Sequence, residues 1–234
     1  MLSPIAAGIE LELASIYRLY AALARDVDQE SGLGGKLLFA GELDLAGCRL
    51  VRAANIAGAA SLAPSADSAV VRQAMRDGVI DFVVTSLDEA LRILKNEIRK
   101  GQTVAVGVHV SPDIIVKEMQ ERGVLPDLLP APSPSVPAEP DFAGFLAQGA
   151  RRVGEQPLSP GKTFFTLQIP PGWAQRFAEF DALLLEFLAP DDHLNRRWLR
   201  LSPRYLGPQA RRIRSLECDA GTASKIAVRV GQGQ

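Results

Sequence analysis

Between residues 35 and 129 short apolar runs alternate with segments of helical period, and a glycine or a capping residue marks most of the changes. The runs are 36–40 (Lys-Leu-Leu-Phe-Ala), 59–63 (Ala-Ala-Ser-Leu-Ala), 81–85 (Asp-Phe-Val-Val-Thr), 103–109 (Thr-Val-Ala-Val-Gly-Val-His) and 127–129 (Asp-Leu-Leu). Each is short and nearly all apolar, as suits a strand buried on both faces. The intervening segments predict helices over 45–57, 66–77, 87–100 and 112–122, the last three closed by Gly78, Gly101 and Gly123. Ser86 with Glu89 three residues on is a capping box, and Ser111-Pro112 places proline at a first helical position. Strand–helix alternation of this kind folds as a parallel sheet with helices on both faces. The expected fold is therefore α/β, a Rossmann-like three-layer αβα sandwich with a mostly parallel sheet.

An amphipathic helix is expected before this region, over 5–28, with Ile9, Leu13, Ile16, Leu19, Tyr20 and Leu23 on one face. After it, prolines at 130, 132, 134, 137 and 140 predict a stiff linker. The expected organisation is a Rossmann-like domain over 1–129, a linker over 130–140 and a smaller α+β part over 141–234. In that last part the pattern predicts helices over 142–153 and 171–188, a strand over 162–169, and a closing hairpin of 212–218 with 225–230.

Bulk properties narrow the partners. The 26 Lys and Arg nearly balance the 27 Asp and Glu, which gives no overall pull toward nucleic acid or an anionic membrane. Two distant cysteines, Cys48 and Cys218, match no metal spacing and fit a reducing cytoplasm, so no metal is expected. The start of the chain lacks a basic, then apolar, leader pattern, and no run has the length of a membrane span. Trp173 and Trp198 would suit either a homodimer interface or the protein's own core.

Ligands of such sheets sit outside the strand carboxyl ends, where the strand order reverses. A 3-2-1-4-5 order would put that point between the first and fourth strands, under loops 41–47 and 109–113. Gly41 and Gly47 can form tight turns near a phosphate, but Glu42 and Asp44 bring negative charge to the same loop. Both carboxylates read equally as loop or N-cap residues. Asp67 is a ribose ligand or an N-cap. His109 is an acid–base group or a hydrogen-bonded structural histidine. Cys48 could be activated at a helix start. With Gly107 in the fourth strand, the cofactor-side candidates are Gly41, Gly47, Asp67, Gly107 and His109; no catalytic residue is assigned. Seven arginines (196, 197, 200, 204, 211, 212 and 214) lie in a stretch without acids, and pairing with the protein's own carboxylates is the expectation for them.

Several segments in series resemble the NAD-binding core of the urocanase (urocanate hydratase) family. They are Gly35-Lys36-Leu37-Leu38-Phe39-Ala40-Gly41, Ala53-Ala54-Asn55-Ile56-Ala57-Gly58, Ser86-Leu87-Asp88-Glu89-Ala90-Leu91, Val106-Gly107-Val108 and Arg122-Gly123-Val124-Leu125-Pro126-Asp127. The resemblance implies tightly held NAD, used as an electrophile in adding water to urocanate. The family's first loop is a dense run of glycines, where this chain has Glu42-Leu43-Asp44-Leu45-Ala46-Gly47. The family's fourth strand leads into Gly-Asn-Ala-Ala, where this chain has His109-Val110-Ser111-Pro112. The expectation is a diverged relative with a nucleotide-type crevice that takes a nucleotide or a small acidic ligand, its hydratase function lost. An active NAD-dependent hydro-lyase with altered loops and a non-enzymatic, homo-oligomeric scaffold are the alternatives.

Overall fold

The computed structural model describes residues 4–25, 27–28, 31–132 and 140–231, with side chains from residue 8 onward. Most of the proline-rich segment, 133–139, lies outside the described residues. The chain divides into two compact units, one of residues 19–155 and one of residues 1–18 with 156–234. The first helix, α1 (Pro4–Ala24), contributes residues to both.

The unit 19–155 is a six-stranded sheet with every pairing parallel. Its elements in chain order are β1 (Leu37–Phe39), α2 (Leu45–Ala57), β2 (Ala60–Pro64), α3 (Ser68–Arg76), β3 (Phe82–Val84), α4 (Leu87–Arg99), β4 (Ala105–Val108), α5 (Pro112–Glu121), β5 (Leu128–Pro130), α6 (Ala143–Ala147) and β6 (Arg151–Val153). This is the Rossmann-like α/β architecture expected from the alternation.

The strand order is β3-β4-β2-β1-β5-β6 and not the 3-2-1-4-5 used above to place the crevice. Burial explains the difference. β2 is buried throughout and reads Ala-Ser-Leu-Ala-Pro, so it sits between β1 and β4 and lets the covering layers come close. β3 leaves Phe82 and Val83 exposed and takes the edge. β6 was expected to be the end of a helix over 142–153. The helix stops at Ala147, and Arg151, Arg152 and Val153 pair with Leu128, Leu129 and Pro130.

Alternate residues of the central strands face opposite layers. Leu37, Phe39, Leu62, Val106, Val108 and Leu129 pack with Leu91, Leu94, Ile115, Met119, Phe142 and Phe145 in one continuous core. Each such fully buried side chain contributes about 1.5–3 kcal/mol of transfer free energy. On the opposite face, a Cβ on Gly107 would lie 2.4 Å from Ile80 Cδ1 and 3.3 Å from Val71 Cγ1, so the missing side chain is space that α3 and its following loop fill. Arg52 Nη2 donates to the Asp77 carbonyl (3.3 Å) and Asn55 Nδ2 to the Val79 carbonyl (3.4 Å), which ties α2 to the α3–β3 turn.

The other unit centres on an antiparallel pair, β7 (Thr163–Gln168) with β8 (Ile213–Cys218). The helices are α7 (Phe177–Leu185), α8 (His193–Tyr205) and α9 (Ala220–Gly231), with single 3-10 turns at Pro171–Trp173 and Gly207–Arg211. The closing hairpin does not form. β8 pairs with β7 instead, and Lys225 to Val230 is helical with Ile226 and Val230 buried on one face. Trp198 is fully buried, its indole N–H donating to the Ser215 carbonyl (2.8 Å). Beneath it lies a polar network. The Tyr17 hydroxyl stands 3.0 Å from Glu217 Oε2 and 3.1 Å from Asn195 Oδ1. Asn195 Nδ2 donates to Asp192 Oδ2 (2.8 Å) and to the Glu217 carbonyl (2.9 Å). Burial pushes the Glu217 carboxyl up. The hydrogen bonds from Ser159 and Tyr17 outweigh it and hold the group below the ordinary carboxylate range.

Candidate functional site

Because every strand of the larger sheet is parallel, the loops that open α2, α3, α4 and α5 all lie at the same edge, the carboxyl ends of the strands. β1 connects toward β2 and β5 connects toward β6, so the connections diverge between β1 and β5. The switch point is therefore bordered by the loops after β1 and β5, at Gly41 and Pro130, and not by those after β1 and β4. Gly41 has φ +74°, and a Cβ there would stand 3.3 Å from Pro130 Cγ. Arg152, which no sequence pattern marks, donates from Nη1 to the Pro130 carbonyl (3.0 Å) and lies over the Phe142 ring.

The loop after β1 is closed by its own atoms. Ala40 N–H donates to the Leu62 carbonyl (2.9 Å) and Leu43 N–H to the Pro64 carbonyl (3.0 Å), pinning the loop to β2. Leu43 is fully buried. Asp44 is the N-cap of α2, and its carboxylate accepts from the Gly47 N–H at 2.8 Å. A Cβ on Gly47 would come within 2.0 Å of the Glu42 carbonyl oxygen. Gly47 thus accommodates the chain's own backbone, which passes directly over the first turn of α2. Cys48 is half-buried, with Sγ 3.9 Å from the Leu43 carbonyl.

The next two helices are capped in the same manner. Asp67 accepts from Ala69 N–H at 2.7 Å, while its own N–H donates to Ser65 Oγ (3.2 Å). Ser86 Oγ accepts from Glu89 N–H (3.3 Å), and the Glu89 carboxylate accepts from the Thr85 N–H (2.9 Å) and hydroxyl (3.1 Å). Those bonds from Thr85 hold the Glu89 carboxyl below its usual range. α5 differs: Ser111 occupies the cap position but makes no side-chain cap bond, and Pro112 follows at once. Beside it, exposed His109 closes β4. Its N–H donates to the Val84 carbonyl (2.9 Å), and its Nε2 lies 3.0 Å from the Ala66 carbonyl. A carbonyl only accepts, so Nε2 carries the proton there, and in the neutral ring Nδ1 is the acceptor.

Of the five residues selected from sequence, Gly41, Asp67 and His109 lie on loops at this edge and Gly47 lies in the first turn of α2, and the His109–Ala66 bond draws the loops of Asp67 and His109 together. Gly107 is inside β4, buried under Val71 and Ile80. Asp67 points to its own helix. Ser111-Pro112 reads as a capped start in sequence, and the structure shows no side-chain cap bond there. Among the described residues no group of three or more His, Cys, Asp or Glu side chains could hold a metal ion, and no helix is long and apolar enough to cross a membrane.

A doubly wound parallel sheet with its loops gathered at a switch point defines a Rossmann-like domain. The family model for the urocanase Rossmann-like domain matches residues 14–150, more than half of the 234 residues. The chain belongs to that family. NAD is the cofactor the family implies, so its fit to the first loop is a direct question. A pyrophosphate at the start of α2 needs free N–H groups and an open approach. Here the Gly47 N–H is taken by Asp44, and the Glu42 carbonyl covers the approach. With that N–H already bonded and the Glu42 carbonyl against Gly47, the loop does not fit a dinucleotide bound in that manner.

Proposed function

We propose that this protein is a diverged urocanase-fold binding domain that has lost hydratase activity and takes a small acidic ligand, or the phosphate of a nucleotide, at the strand-end edge. The observation that carries the reading is the self-capped start of α2. Where the fold would grip a dinucleotide, Asp44 accepts from Gly47 N–H, and the Glu42 carbonyl lies against Gly47. A helix start that is satisfied internally has little left to offer an anion.

The other helix starts support a different place for a ligand. α2, α3 and α4 each start with a side chain bonded to their own amides, whereas α5 starts without one, next to the exposed His109 ring. A carboxylate or phosphate there would meet the positive end of a ten-residue helix and an imidazole. Asp113 in the first turn of α5 limits the total charge such a ligand can carry.

Mass spectrometry of the gently purified native protein tests the first half. The expected spectrum shows no bound NAD, and the protein leaves the ultraviolet band of urocanate undiminished. Copurified NAD or a falling urocanate band would overturn the reading in favour of an active hydro-lyase. Thermal shift with small carboxylates and inorganic phosphate tests the second half. The shift is expected in the parent protein and lost in His109→Ala. A shift that survives this change, or no shift at any millimolar concentration, removes the ligand assignment.

A further inference from the structure

The near balance of charge over the whole chain conceals an uneven distribution. Residues 19–155 carry fourteen Lys and Arg against eighteen Asp and Glu, whereas residues 1–18 with 156–234 carry twelve against nine. The positive excess is concentrated in the segment after Asp192, which has seven arginines and no acid until Glu217. Pairing with the protein's own carboxylates accounts for only part of them. Arg214 is buried and forks onto Asp181 (Nη2 to Oδ2, 3.1 Å). Arg196 donates to the carbonyls of Leu185 and Leu188, and Arg197 is buried with interactions of its own.

Arg200, Arg204, Arg211 and Arg212 remain, all exposed. Among the described residues none of the four makes an ion pair. Arg200 and Arg204 are one turn apart on the side of α8 away from buried Trp198, Leu199 and Ser202. Arg211 and Arg212 end the 3-10 turn Gly207–Arg211 and lead into β8, and that turn packs against α8. Arg204 lies over the Tyr205 ring, 5.4 Å from its centroid. The four exposed arginines thus lie on two adjoining elements, with an aromatic ring beside Arg204, and form the candidate arginine face.

We infer that this face binds the phosphodiester backbone of nucleic acid. Four like charges on adjoining elements, none in an ion pair among the described residues and with the Glu12 carboxylate bonded to Gln209 of the same turn, repel one another, and a polyanion relieves that repulsion. Arginine presents a planar fork that matches phosphate oxygens, and arginine with an aromatic neighbour is the usual lining of nucleic-acid grooves. A membrane surface is the less suitable polyanion. The exposed large apolar side chains of this unit, Leu11 and Val228, are on α1 and α9 and not on α8 or the 3-10 turn that carry the arginines, whereas insertion among lipids favours an element that carries both.

The test is fluorescence anisotropy of labelled mixed-sequence oligonucleotides, single-stranded and duplex, titrated with the whole protein over a range of salt. Four phosphate contacts predict a slope of log K against log salt of about −3 for single strands and nearer −4 for duplex. R200Q/R204Q and R211Q/R212Q are each expected to halve that slope while circular dichroism stays unchanged, since all four side chains are exposed. R92Q/R99Q, exposed arginines of the other unit, is expected to leave it unaltered. The inference is overturned by no anisotropy change at about 100 μM protein and low salt, or by a slope that the glutamine changes do not move. Binding confined to phosphatidylserine vesicles, with oligonucleotides ignored, overturns it equally.

Discussion

Gly47→Ala separates a glycine kept for the protein's own loop from a glycine kept for a ligand. The added Cβ would stand 2.0 Å from the Glu42 carbonyl oxygen, a backbone atom that cannot swing aside. Ordinary carbon–oxygen contact is more than an ångström longer, so the loop or the first turn of α2 must shift. The shift strains the buried Leu43 and loosens the 2.8 Å bond from Gly47 N–H to Asp44. Forcing a methyl into packed surroundings costs about 1–3 kcal/mol. Loss of an N-cap bond costs about 1 kcal/mol. Replacing glycine by alanine within a helix returns about 1 kcal/mol. The net expectation is a loss of roughly 1–3 kcal/mol. With a urea m-value of about 2 kcal/mol/M, the midpoint falls by about 0.5–1.5 M. Asp44→Ala alone is expected to cost about 1 kcal/mol, and the double change less than the sum, because both act on one bond. Urea unfolding of the ligand-free protein is the assay. A midpoint for Gly47→Ala within about 0.2 M of the parent would refute the close approach, and with it the account of why a dinucleotide does not fit.

Three further outcomes follow from the other unit. Tyr17→Phe removes the hydroxyl beside Glu217 and Asn195 and is expected to cost about 1.5–3 kcal/mol in urea unfolding, the range for a buried hydrogen bond to a charged group. Glu217 is held below its ordinary pKa in the folded state, so its stabilising contribution is full above the unfolded value of about 4.3 and is lost as the pH falls through the lower folded value. Glu217→Gln should therefore flatten the acid limb of a stability–pH curve, and an unchanged limb would count against the network. Burial, reinforced by Asp219, pushes the Cys218 thiol up to about 11, so it should resist a thiol reagent at pH 8 until denaturant is added, while half-buried Cys48 reacts first; mass spectrometry after partial labelling reads the order.

The sequence was most informative where one local rule and the tertiary structure demanded the same thing. α2 spans residues 45–57 as expected, closed in the structure by Gly58, and Ser86 with Glu89 opens α4. It was least informative where packing decided. Residues 225–230, Lys-Ile-Ala-Val-Arg-Val, alternate like a strand, yet Ile226 and Val230 are also one helical turn apart, and burial of that pair makes the segment helical. β6 reads Arg-Arg-Val and has no apolar period to mark it; it is a strand because β5 offers an edge. Strand order was illegible for a related reason. Nothing local tells β4 to pass β3 and lie against β2, since the small side chains that admit it belong to β2. At the candidate site the residue types were readable, but not the hydrogen bonds that commit Asp44 and Asp67 to capping their own helices.

The sixth strand also governs where this protein can be cut. The family match ends at residue 150, and β6 starts at Arg151. A fragment trimmed to that match would lose the strand that covers β5, leaving the backbone donors and acceptors of Leu128 to Pro130 bare along an outer edge. The boundary suggested by ancestry and the boundary set by hydrogen bonding differ by three residues, and a soluble fragment of this domain must extend past Val153.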